Sequence, residues 1–376
     1  MSLCVLFLIN VMIKKIAVLR ANALGDYIFS LPALQALRET FKDAEIVLLG
    51  RAWHKDYLQN RPGPVDRVIV VPLYPGISER EGYVPDEEVL AAFFTKMQEE
   101  KFDIAFQIHG GGKNSNPFLL RLGAELTAGL KTPDAAALDI NVPYIYYFNE
   151  TLRYLEVVSR AGAKTKNIEP QIAVTNEDLT EAKSVLINPG NKPVAIIHPG
   201  ASDIKRRWPE KSFATTADYL TELGYQVCIT GLAWEREIVD AVVNNMIYKD
   251  EVQDLSDKLS LGGTTGLLSF SDIIISNDTG PLHLARALRR PTIGIYWFAN
   301  IINALPMTTT LNRNLLSFTM NCPLCGTSSL MFNEYKGFCK HDASLVADIT
   351  THEVKSAIRE VIDAKNSMVG INIFTT

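Results

Sequence analysis

The feature that most restricts this chain is an alternation, run through twice, of short apolar runs and stretches with helical spacing. In the first half Lys15–Arg20 (KIAVLR), Glu45–Leu49 (EIVLL), Val68–Val71 and Asp103–Ile108 (DIAFQI) are brief and rich in strand formers, as strands buried on both faces must be. Between the first two, Ile28, Leu31, Leu34 and Leu37 recur at the period of a helix, and Asp86–Glu100 reads as a second helix. Pro32 falls early enough in the first helix that its missing N–H costs little. The second half repeats the pattern. Val194–Ile197 (VAII), Tyr225–Thr230 (YQVCIT), Asp272–Ser276 (DIIIS) and Pro291–Tyr296 (PTIGIY) read as strands. Helices are expected over Ser212–Leu223, with Ser212 as N-cap, and over Trp234–Asn245 and Pro281–Leu288. Thr350 with Glu353 forms a capping box that opens a terminal helix running to about Ala364.

Strand–helix alternation of this kind builds a parallel sheet covered on both faces. The expected class is therefore α/β, with two Rossmann-like, doubly wound parallel-sheet domains facing a central cleft. The middle of the chain is less regular. Lys131–Pro143 reads as a loop, Asn149–Gly162 as a helix and Asn176–Val185 as a short helix. The polar stretch from Lys164, with prolines at 170, 189 and 193, places the boundary. The expected division is 1–175, 176–345, and a C-terminal helix and tail over 346–376.

Composition narrows the partners. With 376 residues, 47% hydrophobic and 21% charged, the chain can fill two cores. A formal net charge of -5 supplies no field for a polyanion, which argues against nucleic acid. Five cysteines are too few for a disulfide framework, and a reducing compartment is expected. Cys4 and Cys228 lie in apolar runs and read as small buried hydrophobes. Met1–Ile13 is nearly all apolar, yet it lacks a preceding basic region and a cleavage site and is too short to span a bilayer. It reads as a loose extension, or as sequence upstream of a true start at Met12. The expectation is a soluble or peripheral protein.

In an open α/β sheet ligands sit beyond the carboxyl ends of strands, and four loops there carry chemistry. In Asn22-Ala23-Leu24-Gly25-Asp26, Gly25 suits a tight turn and Asp26 falls at a helix start, as a reactive carboxylate or as a cap. In His109-Gly110-Gly111-Gly112-Lys113-Asn114, three glycines clear the loop and Lys113 and Asn114 can donate to sugar hydroxyls; a surface loop is the alternative. In His198-Pro199-Gly200-Ala201-Ser202, followed by Lys205-Arg206-Arg207-Trp208-Pro209, Gly200 and Ser202 offer donors and the cations can neutralise a diphosphate. A solvated basic loop would read the same. In Ser276-Asn277-Asp278-Thr279-Gly280-Pro281-Leu282-His283, amides over Thr279–Leu282 at a helix N-terminus make an anion site, with Pro281 suited to the first helical position; a well-capped helix would read the same. No G-x-G-x-x-G occurs, so a dehydrogenase turn is disfavoured. Near the C-terminus Cys322 and Cys325, with Cys339 and His341, have the ingredients of a weak zinc candidate; thiols packed in a loop are the alternative.

Taken together, Ile16–Glu39 (IAVLRANALGDYIFSLPALQALRE), Val194–Ala214 (VAIIHPGASDIKRRWPEKSFA), Ile229–Glu237 and Ser276–Tyr296 (SNDTGPLHLARALRRPTIGIY) resemble glycosyltransferase family 9, typified by ADP-heptose:lipopolysaccharide heptosyltransferases. The resemblance implies a GT-B fold and inverting transfer from a nucleotide-sugar, an ADP-sugar first among them, with no obligatory cofactor or metal at the reaction centre. It makes Asp26 the general base. It has Thr279, Gly280 and the following amides hold the donor diphosphate, puts Glu235 near the nucleoside and stands His283 beside the donor. The lysine usual two places before the Trp is Arg206 here, with Lys205 one step earlier, so either could take the phosphate. Two serines usual before LGD are Asn22 and Ala23. The implied acceptor is lipopolysaccharide or another surface glycan, and the implied place is the cytoplasm, with peripheral contact at the inner membrane an option for a lipid-linked acceptor. A nucleotide-sugar epimerase or a non-catalytic sugar-nucleotide-binding protein are the competing readings.

Overall fold

The computed structural model describes residues 13–187, 191–329 and 340–372. Expectations for the apolar start, Cys4 and Cys339 fall outside those residues. The chain divides into two compact units, the first ending at Ala173 and the second beginning at Val174.

In the first unit β1 (Lys15–Leu19), α1 (Leu24–Thr40), β2 (Glu45–Gly50), α2 (Ala52–Leu58), β3 (Arg67–Val70), α3 (Glu87–Glu100), β4 (Ile104–Gln107), α4 (Ser115–Leu120), β5 (Leu126–Lys131), β6 (Ile140–Pro143) and α5 (Glu150–Arg160) follow one another. The strands form one parallel sheet in the order β3-β2-β1-β4-β5-β6. Ala17, Leu19, Val47, Leu49, Phe94, Phe102 and Phe118 close over it as a core. Each such large side chain contributes ~1.5–3 kcal/mol on burial. Asp86 caps α3, its carboxylate accepting from the Glu88 and Val89 amides.

In the second unit come α6 (Asn176–Val185), β7 (Val194–His198), α7 (Glu210–Glu222), β8 (Gln226–Ile229), α8 (Arg236–Asn245), β9 (Gln253–Asp254), α9 (Leu261–Phe270), β10 (Ile273–Asn277), α10 (Gly280–Ala287), β11 (Thr292–Trp297), α11 (Phe298–Ala304), β12 (Asn312–Ser317) and α12 (Thr351–Asn372). The sheet order, β9-β8-β7-β10-β11-β12, is that of the first sheet, and it is again parallel throughout. Counted within each unit, both sheets run 3-2-1-4-5-6, the Rossmann order. Leu345, Val346, Val354 and Ile358 pack into the same core as Trp208, Phe213, Ile275 and Ile295. The terminal helix is thus part of this unit rather than an appendage. Its capping box forms: the Thr350 amide donates to the Glu353 carboxylate (2.7 Å) and the Glu353 amide to the Thr350 hydroxyl (3.3 Å).

Four local expectations change. Pro32, expected near the start of the first helix, lies inside α1 at its ninth position, where it removes one interior backbone hydrogen bond. Lys131–Pro143, expected as a loop, ends in the strand β6, and β5 precedes it. β5 pairs with the edge that β4 offers and β6 with the edge that β5 offers in turn; their short, mixed sequences carry no clear alternation, and Pro143 is tolerated because β6 is itself an edge. α7 begins at Glu210 with Pro209 in the cap position, so Ser212 lies inside the helix and its amide bonds back to Pro209. A single tight turn over Ala233–Glu235 precedes α8, which starts at Arg236. Among the described residues no helix is long and apolar enough to cross a membrane.

Candidate functional site

The order of strands reverses between β1 and β4 in the first sheet and between β7 and β10 in the second. At such a switch point the loops leaving neighbouring strands turn to opposite faces and open a crevice. The four loops singled out in the sequence are the loops that follow these four strands.

At the first switch point the loop after β1 is organised by Arg20, which is 2% exposed. Its guanidinium donates to the Ile108 carbonyl (2.7 Å) after β4 and to the Asp26 carboxylate (2.8 Å). The same group lies over the Tyr154 ring, 4.6 Å from its centroid, and 4.0 Å from the Glu150 carboxylate. Asp26 occupies the third position of α1, and its second oxygen accepts from the Ala23 amide (3.3 Å). The side chain is 34% exposed, so an oxygen edge remains open to solvent while the carboxylate is held in place. The N-cap of α1 is Ala23, so Asp26 is not the cap expected of it; it accepts from the cap residue's amide at the third helical position. Gly25 lies within α1 without a positive φ, so the turn does not need glycine for conformational freedom there.

The loop after β4 is built rather than slack. Gln107 reaches from the strand to donate to the His109 carbonyl (2.5 Å) and the Gly110 carbonyl (3.2 Å), while its oxygen accepts from the Leu130 amide (2.9 Å). Ser115 donates to the His109 carbonyl (2.7 Å). Gly110 and Gly112 have φ of 65° and 95°, which side chains rarely adopt. His109 is placed differently from expectation. It is 6% exposed, its Nδ1 accepts from the Ala21 amide (3.2 Å), and Nε2, which then carries the proton, faces the Gly76 carbonyl (3.2 Å). Burial, with Arg20 adding its charge, lowers the imidazole pKa to about 3. Both ring nitrogens are committed to backbone, so His109 shapes the loop and does not present a group to a sugar. Lys113 is exposed, and Asn114, half-buried, donates to Glu81 (3.3 Å).

At the second switch point Asn277, the last residue of β10, ties two loops together. Its oxygen accepts from the Trp208 amide (3.0 Å) and its nitrogen donates to the Pro199 carbonyl (2.8 Å). Trp208, fully buried, donates in turn to the Ile349 carbonyl (2.8 Å). This brings the basic loop over the start of α10. Arg206 donates to the Asp278 carbonyl (3.4 Å) and the exposed Ser202 hydroxyl (3.3 Å), and its guanidinium is 3.6 Å from the Asp278 carboxylate. Arg207 turns away, bonding the Ala201 carbonyl (2.8 Å) and lying over Trp234. The Lys205 amide donates to Asp203 and its carbonyl accepts from the Leu345 amide.

Asp278 is buried and fully engaged. His283 Nε2 lies 3.1 Å from one oxygen, and Asn300 donates to the other (3.2 Å). Burial pushes its pKa up, but His283, Arg206 and Asn300 outweigh that and hold it below the ordinary carboxylate value. Asp278 and His283 thus brace Arg206 and the helix start instead of facing a ligand. Pro281 takes the second helical position, behind Gly280. It has no N–H, and the Leu282 amide bonds the Thr279 carbonyl (3.1 Å). Of the amides expected to meet an anion, those of Thr279 and Gly280 have no protein acceptor among the described residues; the half-buried Thr279 hydroxyl beside them donates to the Asn277 carbonyl (3.3 Å).

Glu235 is also internal. It is 3% exposed, caps the Leu232 amide (2.8 Å) and lies 3.9 Å from His198, whose pKa burial lowers. Gly200 is required by its proximity: a Cβ there would stand 2.0 Å from the Glu235 carboxylate. Arg20 and Asn300 are structural partners of the site that the sequence reading passed over, and Asn277, part of the loop singled out there, has a tying role that the residues alone do not show. A charged residue ending an otherwise apolar strand was the available signal for Arg20.

A family model described as glycosyltransferase family 9 (heptosyltransferase) matches residues 90–324. Lipopolysaccharide heptosyltransferase 2 of Salmonella typhimurium is 25% identical over 295 residues, covering 75% of this chain and 82% of its own. A family 9 glycosyl transferase structure from Veillonella parvula superposes with a TM-score of 0.74 at 20% identity, covering 93% of this chain and 97% of that one. Escherichia coli ADP-heptose LPS heptosyltransferase II gives 0.72 at 20% identity, covering 94% and 100%. Two Rossmann-like parallel-sheet units of the GT-B type are the fold these structures share with this chain. With residues 90–324, more than half of its length, matched by the family model, this chain belongs to glycosyltransferase family 9 and is a glycosyltransferase.

Proposed function

We propose that this enzyme transfers a heptose, with inversion, from an ADP-sugar to a lipopolysaccharide-type acceptor at the cytoplasmic face of the inner membrane. One observation carries the reading: four loops far apart in sequence occupy the switch points of two like sheets, one presenting a braced carboxylate and the other a helix N-terminus with a braced arginine. The heptosyltransferases to which the chain is similar, one of them an ADP-heptose enzyme, support the donor class.

In the proposed reaction the acceptor oxygen forms a bond to the anomeric carbon as the bond from that carbon to the diphosphate oxygen breaks. Asp26 takes the hydroxyl proton as attack proceeds. Negative charge gathers on the departing ADP, and the Thr279 and Gly280 amides, the Thr279 hydroxyl and Arg206 stabilise it. Arg206 takes the phosphate role in preference to Lys205 because it is the cation bonded to the Asp278 loop. Arg20 holds Asp26, while His109, Glu235, Asp278 and His283 are positioning residues. Asn22, Lys113 and Asn114 face the acceptor.

The test pairs binding with turnover. Thermal shift with ADP, UDP, GDP and CMP should single out ADP by mass action. Asp26→Asn should keep ADP binding while transfer to a heptose-deficient lipopolysaccharide falls by ~10²-fold or more. Full turnover in that variant would remove Asp26 from the base role, and turnover of the nucleotide-sugar without any acceptor would favour an epimerase.

A further inference from the structure

Beyond the transfer site, a second cluster of chemically capable side chains lies after β12. Residues 318–329 fold back on themselves: Asn321 and Ser328 form an antiparallel bridge, the Cys322 amide donates to the Thr327 carbonyl (2.8 Å), and the Ser329 amide donates to the Met320 carbonyl (2.8 Å). The turn is closed by the Gly326 amide on the Cys322 carbonyl (2.9 Å), with Gly326 at a φ of 71° that favours glycine. Cys322-Pro-Leu-Cys325 is thereby bent so that both sulfurs fall on one side. The chain returns to this turn at His341, whose Nδ1 lies 3.7 Å from the Cys322 sulfur. The two sulfurs and one His341 nitrogen all lie within 4.8 Å of one another.

Those separations can be checked against coordination chemistry. Tetrahedral zinc with sulfur at ~2.3 Å and imidazole nitrogen at ~2.0–2.1 Å holds its ligand atoms roughly 3.5–3.8 Å apart. The Cys322–His341 distance is already in that range, and a small rotation of an exposed side chain closes the rest. Thr327 stands 3.3 Å from the Cys325 sulfur, where a hydroxyl can donate to a thiolate and tune the ligand. Two thiolates and an imidazole are the donor set of zinc among the common divalent ions.

We infer that Cys322, Cys325 and His341 bind one structural Zn²⁺ ion, which clips the 318–329 turn to the segment that supports the basic loop of the second unit. That segment is well anchored. The Ser344 hydroxyl donates to the Arg207 carbonyl (2.6 Å) and the Leu345 amide to the Lys205 carbonyl (2.8 Å). The turn is anchored on the other side by Trp297, which donates to the Thr319 carbonyl (2.8 Å). The ion joins the turn to a segment 19 residues on from Cys322, and none of its ligands belongs to the proposed transfer chemistry.

The test is metal analysis of the full chain purified without chelator or affinity metal. About one zinc per chain is expected, falling below ~0.2 in Cys322→Ser/Cys325→Ser and in His341→Ala, with circular dichroism verifying that each variant is folded. Should a variant fail to fold, cobalt exchange into the wild-type chain replaces it: thiolate charge-transfer absorption with tetrahedral d–d bands upholds the site. Zinc-free protein that gives no such spectrum with cobalt overturns the proposal, as does zinc retained in the folded double-serine variant. Iron in place of zinc, lost in the same variants, upholds the ligand set and overturns the choice of metal.

Discussion

Replacing Arg20 by methionine removes the charged fork and keeps most of the apolar stem. Three hydrogen bonds vanish: two short ones, to the Ile108 carbonyl (2.7 Å) and the Asp26 carboxylate (2.8 Å), and a long, weak one to the Asp26 carbonyl (3.4 Å). Hydrogen bonds to a charged group contribute about 1.5–3 kcal/mol each. The Asp26 term must be discounted, because that carboxylate is 34% exposed and water can take over its solvation. The Glu150 carboxylate keeps Arg153 and Tyr154 as partners. The net expectation is a loss of ~2–4 kcal/mol in unfolding free energy, below the ~3–5 kcal/mol of a fully buried pair broken on one side. The effect on transfer should be larger in proportion. Without Arg20 the carboxylate can rotate from its fixed orientation, and misplacement on the order of 1 Å costs roughly 10²-fold in rate. Urea unfolding gives the first quantity, and kcat/KM with ADP-heptose gives the second. Arg20→Lys, which keeps the charge but cannot bridge both acceptors, should fall between the two. A folded Arg20→Met chain with less than ~1 kcal/mol lost and wild-type kcat/KM would refute both the brace and its link to catalysis.

Arg206→Ala should raise the Kd for ADP about tenfold, ~1.4 kcal/mol, whereas Lys205→Ala should change it less; calorimetric titration decides, and the reverse order would move the phosphate role to Lys205. Gly200→Ala sets a methyl 2.0 Å from the Glu235 carboxylate and should cost ~1–3 kcal/mol in stability; an unchanged melting temperature would contradict that close approach. His109 binds protons in the unfolded chain near 6.5 but not in the folded one until about pH 3, so stability present above pH 6.5 is lost as pH falls toward 3. At pH 5 that term is ~2 kcal/mol. His109→Gln should flatten the stability difference between pH 7 and pH 5 by about that amount, and identical slopes in urea titrations would show that His109 is not held neutral.

What could be read from residues alone was whatever neighbouring positions decide. Apolar runs bounded by turns marked β1, β2, β3, β4, β7, β8, β10 and β11, and helical spacing marked α1, α3, α5, α6, α7, α8, α10 and the capped start of α12. Motifs of consecutive residues, such as Asp278–His283, stood out because a helix start and its glycine lie side by side in the chain. Tertiary structure decided the rest. β5 exists because β4 lends it a pairing edge, and β6 because β5 does the same, which no local pattern announces. The division of labour among Lys205, Arg206 and Arg207 depends on Asn277 drawing Trp208 toward β10, a contact 69 residues long in sequence. Arg20 meets the Ile108 carbonyl 88 residues away, and that contact turns an arginine at the end of an apolar strand into the brace of Asp26. His109, a plausible sugar contact from its loop, is instead held between two backbone groups once the sheet closes around it. Propensity and spacing act over a few residues, whereas the assignment of a polar side chain depends on which partners the folded sheet brings within 3 Å or so, and only the packed chain sets those distances.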